Sequence, residues 1–207
     1  MPALNPRIKV VFFDIGNVLL HFNAADILKE VAGVVGRHPL TVAKYLWHSH
    51  IGEDIELGLI TGRQLFGMFQ KELGYRGDYT AFRKLWCDHF RVHRGTVTIL
   101  RRVSRTHRVY LLSNTNALHY DFIRKEYDFA RLVRGAVLSY KLKMRKPEPR
   151  IYQAALKMAR ARPQESVFID DLRENVEAAA GMGMHAIQFL SSENLRERLL
   201  ELGVLRG

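Results

Sequence analysis

The sequence has one cysteine, Cys87, so no intramolecular disulfide can form and nothing points to an oxidising compartment. It also lacks a long apolar run. The first, Val10-Val11-Phe12-Phe13, is cut off by Asp14 and is far too short for a membrane span. The opening Met1-Pro2-Ala3-Leu4-Asn5-Pro6 is not a signal peptide, which leaves a cytoplasmic protein as the expectation. There is no internal repeat, no low-complexity tract, and no zinc or helix-turn-helix signature.

Acidic residues are scarce: 21 Asp/Glu against 32 Lys/Arg give a formal net charge of +11. The imbalance is local. Residues 22–90 carry eight of each sign, whereas 91–162 hold 18 basic and four acidic residues. No aromatic residues interleave with the basic ones as in a single-strand binder, so nucleic acid is not the expected partner. Solvated helix faces that steer a small anionic substrate fit the pattern better.

What is present is a globular composition, 47% apolar and 10% aromatic in 207 residues, enough for one domain with a large insertion. Three short β-branched and aromatic runs end abruptly in polar groups. They are Val10-Val11-Phe12-Phe13-Asp14, Val109-Tyr110-Leu111-Leu112-Ser113-Asn114, and Val167-Phe168-Ile169-Asp170-Asp171. Buried parallel strands look like this when their carboxyl ends deliver functional groups into a crevice. From residue 96 on, helices over 96–104, 117–126, 148–161 and 175–181 alternate with strands over 107–112, 135–139, 166–170 and 185–189. The pattern predicts an α/β, doubly wound, Rossmann-like parallel sheet. Between the first strand, 8–14, and this region the periodicity turns helical. Four helices are expected there, one with Thr61 and Gln64 as a capping box and Gly74 as its stop. The predicted division is a core of 1–21 plus 91–207 and a helical cap of 22–90.

Taken singly, the polar residues have ordinary roles. Asp14 could cap a helix, Ser113-Asn114-Thr115-Asn116 could be a capped loop, and Lys146-Pro147 could open a helix. Adjacent Asp170 and Asp171 behind an apolar strand are harder to dismiss, since two carboxylates are costly to desolvate without a cation or several donors. Together these residues suit a phosphate monoester. Asp14 can attack phosphorus, Ser113 and the amides around Asn114 can hold phosphate oxygens, and Lys146 supplies fixed positive charge. An oxygen set of Asp14, Asp171 and a backbone carbonyl suits Mg²⁺.

Phe13-Asp14-Ile15-Gly16-Asn17-Val18, Leu112-Ser113-Asn114-Thr115-Asn116, Lys146-Pro147 with Ile151-Tyr152, and Asp170-Asp171 together resemble the four motifs of the haloacid dehalogenase-like (HAD) hydrolase superfamily, over the whole chain. Their wording is most similar to its bacterial sugar-1-phosphate phosphatase branch, which includes α-D-glucose-1-phosphate phosphatases. The resemblance implies a C1 cap over the substrate and Mg²⁺-dependent phosphomonoester hydrolysis through an aspartyl-phosphate, with a small sugar phosphate as substrate. It makes Asp14 the nucleophile, Ser113 and Asn114 phosphate-binding, and Lys146 the motif lysine. Asp14, Asp171 and the Gly16 carbonyl become the metal ligands, supported by Asp170 and Asn175.

One departure stands out. The superfamily commonly has an acid–base Asp two residues after the nucleophile, and here that residue is Gly16. Asn17, His21 and His119 are the candidate substitutes, and without one, esters with acidic leaving alcohols should be favoured. Phe22, Trp47, His48, His50 and Arg63 are the residues available in the cap for specificity. Three other readings compete: a haloacid dehalogenase, disfavoured by the acidic pair, a phosphomutase, disfavoured by Gly16, and a non-catalytic phosphate-ligand binding module.

Overall fold

The computed structural model describes residues 7–48 and 50–206; the opening 1–6 and the side chains of Trp47 and His48 lie outside the described residues. Five strands, β1 (Val10–Phe13), β4 (Arg108–Ser113), β5 (Gly135–Leu138), β6 (Ser166–Asp170) and β7 (His185–Gln188), form one parallel sheet in the order β5-β4-β1-β6-β7. The expected doubly wound α/β fold is thus the observed one, with strand order reversing on either side of β1.

Period-two alternation sends successive residues of these strands to opposite faces. Val11, Phe13, Val109, Leu111, Val167 and Ile169 pack with α6 (Arg94–Val103), α7 (Ala117–Glu126) and α11 (Ser192–Glu201). On the other face Val10, Phe12, Tyr110, Leu112 and Phe168 pack with α9 (Pro149–Ala159) and α10 (Arg173–Gly181). Burial on both faces explains why the strands are continuously apolar.

Between β1 and β4 the chain builds α1 (Ala24–Val35), α2 (Pro39–His48), α3 (Ile51–Glu56), α4 (Gly62–Leu73) and α5 (Tyr79–Cys87). These helices bury their own cluster, including Ile27, Val42, Ile55, Phe69 and Phe82, and touch the sheet region through Leu118 of α7. Thr61 and Gln64 form the expected capping box of α4, and Gly74 ends that helix in the left-handed conformation. Cys87 is buried here, its thiol pushed up to about 12 by desolvation.

Several elements differ from the sequence-based expectation. There are five helices in this segment, because α3 is only six residues long and has no side-chain N-cap to announce it. A two-residue antiparallel ribbon, β2 (Leu20–His21) with β3 (Arg91–Val92), joins the two ends of the helical segment, and such strands are too short to show a period. The short α8 (Ser139–Leu142) and the charged, Ser191-capped α11 were not expected either.

Gly58, just beyond α3, has φ 64° and lies against the Tyr140 carbonyl of α8 so closely that no Cβ would fit. That contact fixes the end of α3 over the loop before Lys146.

Candidate active site

The three polar strand ends meet because β4, β1 and β6 are neighbours in level register: Phe13 pairs with both Leu111 and Ile169. Asp14 and Asp170 come next on their strands and Ser113 two residues after Leu111, so all three emerge at the carboxyl edge, and all three are buried. Lys146 reaches this edge from the loop before α9, its side chain only 1% exposed. Its Nζ lies 2.9 Å from Asp14 Oδ1 and 2.5 Å from Asp170 Oδ2.

Asp170 is fully engaged. Its Oδ2 takes the Lys146 hydrogen bond, while Oδ1 accepts from the Leu172 amide and Asn175 Nδ2, each at 2.9 Å. The Tyr152 hydroxyl donates to the Asn175 carbonyl, which steadies that turn from α9. Asp14 is not satisfied in the same way. The Lys146 ammonium is close but off the hydrogen-bonding direction, and Asp14 Oδ1 has no hydrogen-bond donor among the described residues. Desolvation by burial pushes the Asp14 carboxyl from 3.8 up to about 6, although Lys146 pulls it down; Asp170 adds to the rise. Lys146 itself is held above its ordinary range, its two carboxylate partners outweighing burial.

Carboxylate oxygens of Asp14, Asp170 and Asp171 lie within 4.8 Å of one another. Three carboxylates against one ammonium leave the cluster short of positive charge, and an oxygen-only set with an orphaned buried oxygen fits a hard divalent cation. With Asp170 committed elsewhere, the atoms open to an ion belong to Asp14 and Asp171. Asp171 Oδ2 accepts from Asn17 Nδ2 at 3.1 Å, which orients it and leaves Oδ1 for other use. Gly16, two residues after Asp14, walls a 290 Å³ cavity together with Ser113 and Asn114.

The Asn114 side chain has a structural role beside the phosphate-binding one expected of its backbone. Its amide bonds the backbone of Lys146 at both ends, Nδ2 to the carbonyl at 3.0 Å and Oδ1 from the N–H at 2.8 Å, so the side chain positions Lys146 and is not free for substrate. Buried Ser139 similarly braces the loop by bonding the Thr115 N–H and carbonyl. Ser113 Oγ lies 3.5 Å from the Asn114 carbonyl, too long to commit the hydroxyl there, and its hydrogen bonding toward Asp14 slightly offsets the rise of that carboxyl.

None of the three substitutes proposed for the missing acid–base group has the right setting. Asn17 spends its amide on Asp171 and on the Phe22 N–H. Exposed His21 sits on the ribbon, edge-on to His93, and is not among the described residues walling the cavity over Asp14. His119 does face that cavity, but Nδ1 lies 3.1 Å from Asn116 Nδ2 and Nε2 3.1 Å from the Trp86 carbonyl. Those partners require a neutral ring with the proton on Nε2, and burial lowers its pKa to about 4.

The titratable group that sequence reasoning missed is Glu56, at the end of α3, on the wall of the same 290 Å³ space as Gly16 and Ser113. Burial raises its carboxyl against the pull of Arg145 and Lys146. Arg145 pairs with Glu53 and Glu56 at 3.2 Å each and so ties α3 to the residue beside Lys146. Of the suggested specificity residues, Phe22 and His50 wall a cavity, whereas Arg63 stacks on Tyr79, 4.5 Å from the ring centre.

Comparison with known proteins identifies the family. Residues 8–183 match the model of the haloacid dehalogenase-like hydrolases. The chain is 26% identical over 191 residues to the sesquiterpene phosphatase astK of Aspergillus oryzae, covering 89% of this chain and 91% of that one. It is 23% identical over 203 residues to D-ribitol-5-phosphate phosphatase of Bacteroides thetaiotaomicron, covering 93% and 97%. A 43-residue stretch is 44% identical to mouse (Mus musculus) acyl-CoA dehydrogenase family member 10, of which it spans only 4%. A HAD family enzyme of Bacteroides thetaiotaomicron shares the fold at TM-score 0.83 and 23% identity, over 94% of this chain and 99% of that one, and has also been solved with magnesium and inorganic phosphate. With the matched model spanning most of the sequence and the same fold in solved relatives, the chain belongs to the haloacid dehalogenase-like hydrolase family.

Proposed function

We propose that this protein is a Mg²⁺-dependent phosphomonoester hydrolase working through an aspartyl-phosphate on Asp14. The observation that carries this reading is the state of Asp14: a buried strand-end carboxylate with one oxygen lacking a donor, beside Lys146 and the Asp171 carboxylate. An Asp14 oxygen attacks phosphorus, the ester P–O bond breaks, and the alcohol leaves with a proton. Water then attacks the acyl-phosphate, releasing inorganic phosphate and regenerating the carboxylate. Lys146, the Ser113 hydroxyl and the Asn114 backbone N–H bind the non-bridging oxygens, and Asp170 and Asn114 hold Lys146 in place. Asp14, Asp171 and the Gly16 carbonyl would hold magnesium, which would supply Lewis-acid charge at the phosphoryl group.

Proton transfer falls to Glu56. It shares the cavity with Gly16, and its raised pKa keeps the acid form available closer to neutral pH than for an ordinary carboxyl. This revises the expectation drawn from Gly16 alone, that leaving groups depart without help. We read the helical segment 22–90 as the cap, since it brings Glu56 over the strand ends. The substrate is a small phosphorylated metabolite. The relatives act on a polyol phosphate in one case and a sesquiterpenoid phosphate in another, and the sugar phosphate suggested by motif wording is one member of that range. The test is release of inorganic phosphate from a panel of small esters with Mg²⁺ and with a chelator. Mg²⁺-dependent turnover is expected; metal-independent hydrolysis of a haloacid, with no ester turned over, would overturn the reading.

A further inference from the structure

The space over Asp14 adjoins a second, larger one. Phe22, Gly52, Glu56, Trp86 and His119 wall both the 290 Å³ cavity and a neighbour of about 540 Å³ between α1, α2, α3 and α5. The larger one has the size of a small-molecule site. The rest of its described lining is mainly Ile27, Leu28, Ala43, Leu46 and Ile51.

Its polar wall groups are mostly spoken for. Arg145 pairs with Glu53 and Glu56, and both nitrogens of His119 are bonded, which among the described lining leaves the unpartnered Trp86 indole N–H and His50 at the exposed edge. A sugar or polyol buried there would exchange water for walls that offer few free hydrogen-bonding groups, an unfavourable trade for each hydroxyl. A hydrocarbon body would gain with every square ångström buried.

We propose that this cavity is the specificity site and that the alcohol it takes is apolar, an aliphatic or aryl alcohol whose phosphate reaches Asp14 past Phe22 and Trp86. The assignment rests on the phosphatase reading for its reaction and on the lining for its selectivity.

The experiment uses the full chain with Mg²⁺ and n-alkyl phosphates from ethyl to octyl, alongside glucose 1-phosphate and ribitol 5-phosphate. Binding of the matching alkylphosphonates, which are not hydrolysed, is followed by calorimetry. Both kcat/KM and phosphonate affinity should rise about two- to fourfold per methylene until the cavity fills. Ala43→Phe should bring the plateau to a shorter chain. Leu46→Asn, should the first variant not fold, should reduce the rise per methylene. Flat chain-length dependence in both measurements, or a tenfold or greater preference for the polyol esters, would overturn the proposal. If no ester is hydrolysed while phosphonate affinity still climbs with length, the cavity assignment stands and the catalytic reading fails.

Discussion

The carboxyl edge of the sheet and the helical segment opposite it form one site from two kinds of material. At the edge, polar atoms are fixed by specific partners: Asp170 makes three hydrogen bonds, Asn114 clamps the Lys146 backbone at two points, and Ser139 braces Thr115. Opposite, the cavity wall is largely apolar side chains on α1, α2 and α3, and only a few ion pairs cross to the edge. Charged groups in a dry site need particular geometry and tolerate little change. Apolar walls can be built from many sequences of similar volume. On the proposed reading, reaction chemistry is therefore concentrated where alternatives are few, and substrate choice where they are many.

The largest expected effect tests the fixed side. Asp14→Asn should lower turnover at least about a thousandfold with the fold intact by circular dichroism, because an amide is a very poor nucleophile toward phosphorus. A folded variant with near-normal turnover would remove Asp14 from its role.

The next test asks whether the helical side contributes chemistry as well as shape. Glu56→Gln should cost about 10²–10⁴-fold on alkyl esters, whose leaving alkoxides are basic, and far less on aryl esters. A plot of log turnover against leaving-group acidity should be shallow for the natural protein and steep for the variant. An added Cβ at Gly16 meets no atom within 4 Å, so Gly16→Asp in the Glu56→Gln background should flatten the plot again. With its raised pKa, Glu56 loses its proton as pH rises, so an alkaline limb of the alkyl-ester profile should vanish in Glu56→Gln. An unchanged plot in that variant would return proton transfer to some other group.

Separate roles for the two adjacent aspartates give a third test. Asp171→Ala should weaken Mg²⁺ binding at least about tenfold with little loss of stability. Asp170→Ala should do the reverse, destabilising by about 3–5 kcal/mol because Lys146, the Leu172 amide and Asn175 lose a buried partner. Equal effects on metal affinity would show that Asp170 is itself a ligand.

The smallest effect concerns the cost of keeping Asp14 charged. Its native pKa of about 6 exceeds 3.8, so the folded, metal-free protein takes up a proton more readily than the unfolded chain between those values. The penalty is absent below about pH 4 and complete above about pH 6. Asp14→Asn should therefore stabilise the metal-free protein by about 1–3 kcal/mol at pH 7 and by nothing near pH 4. Denaturant titrations at the two pH values measure this.

Strand ends, Lys146 and the acidic pair were legible in the sequence because burial on both faces gives unbroken apolar runs, and their polar terminations then stand out. The α4 cap was legible for a similar reason: Thr61 and Gln64 carry a local hydrogen-bond pattern. Glu56 was not, since it ends a six-residue helix placed by Gly58 against Tyr140, a contact 82 residues away in the chain with no local trace. His119 was a candidate proton donor in the sequence because nothing local shows its partners; Asn116 on one nitrogen and the Trp86 carbonyl on the other fix the ring as neutral. The apolar cavity was illegible because Ile27, Leu46 and Ile51 look like any helix core until three helices are arranged around them.

Arg145 and Lys146 are consecutive residues that face opposite partners, the first pairing with glutamates of α3 and the second with Asp14 and Asp170. On the proposed reading, a displacement of α3 that admits substrate or releases alcohol would be felt one peptide unit from the Lys146 ammonium. Opening and phosphate affinity would then share a single degree of freedom: the movement that clears the exit would also slacken the grip on phosphate.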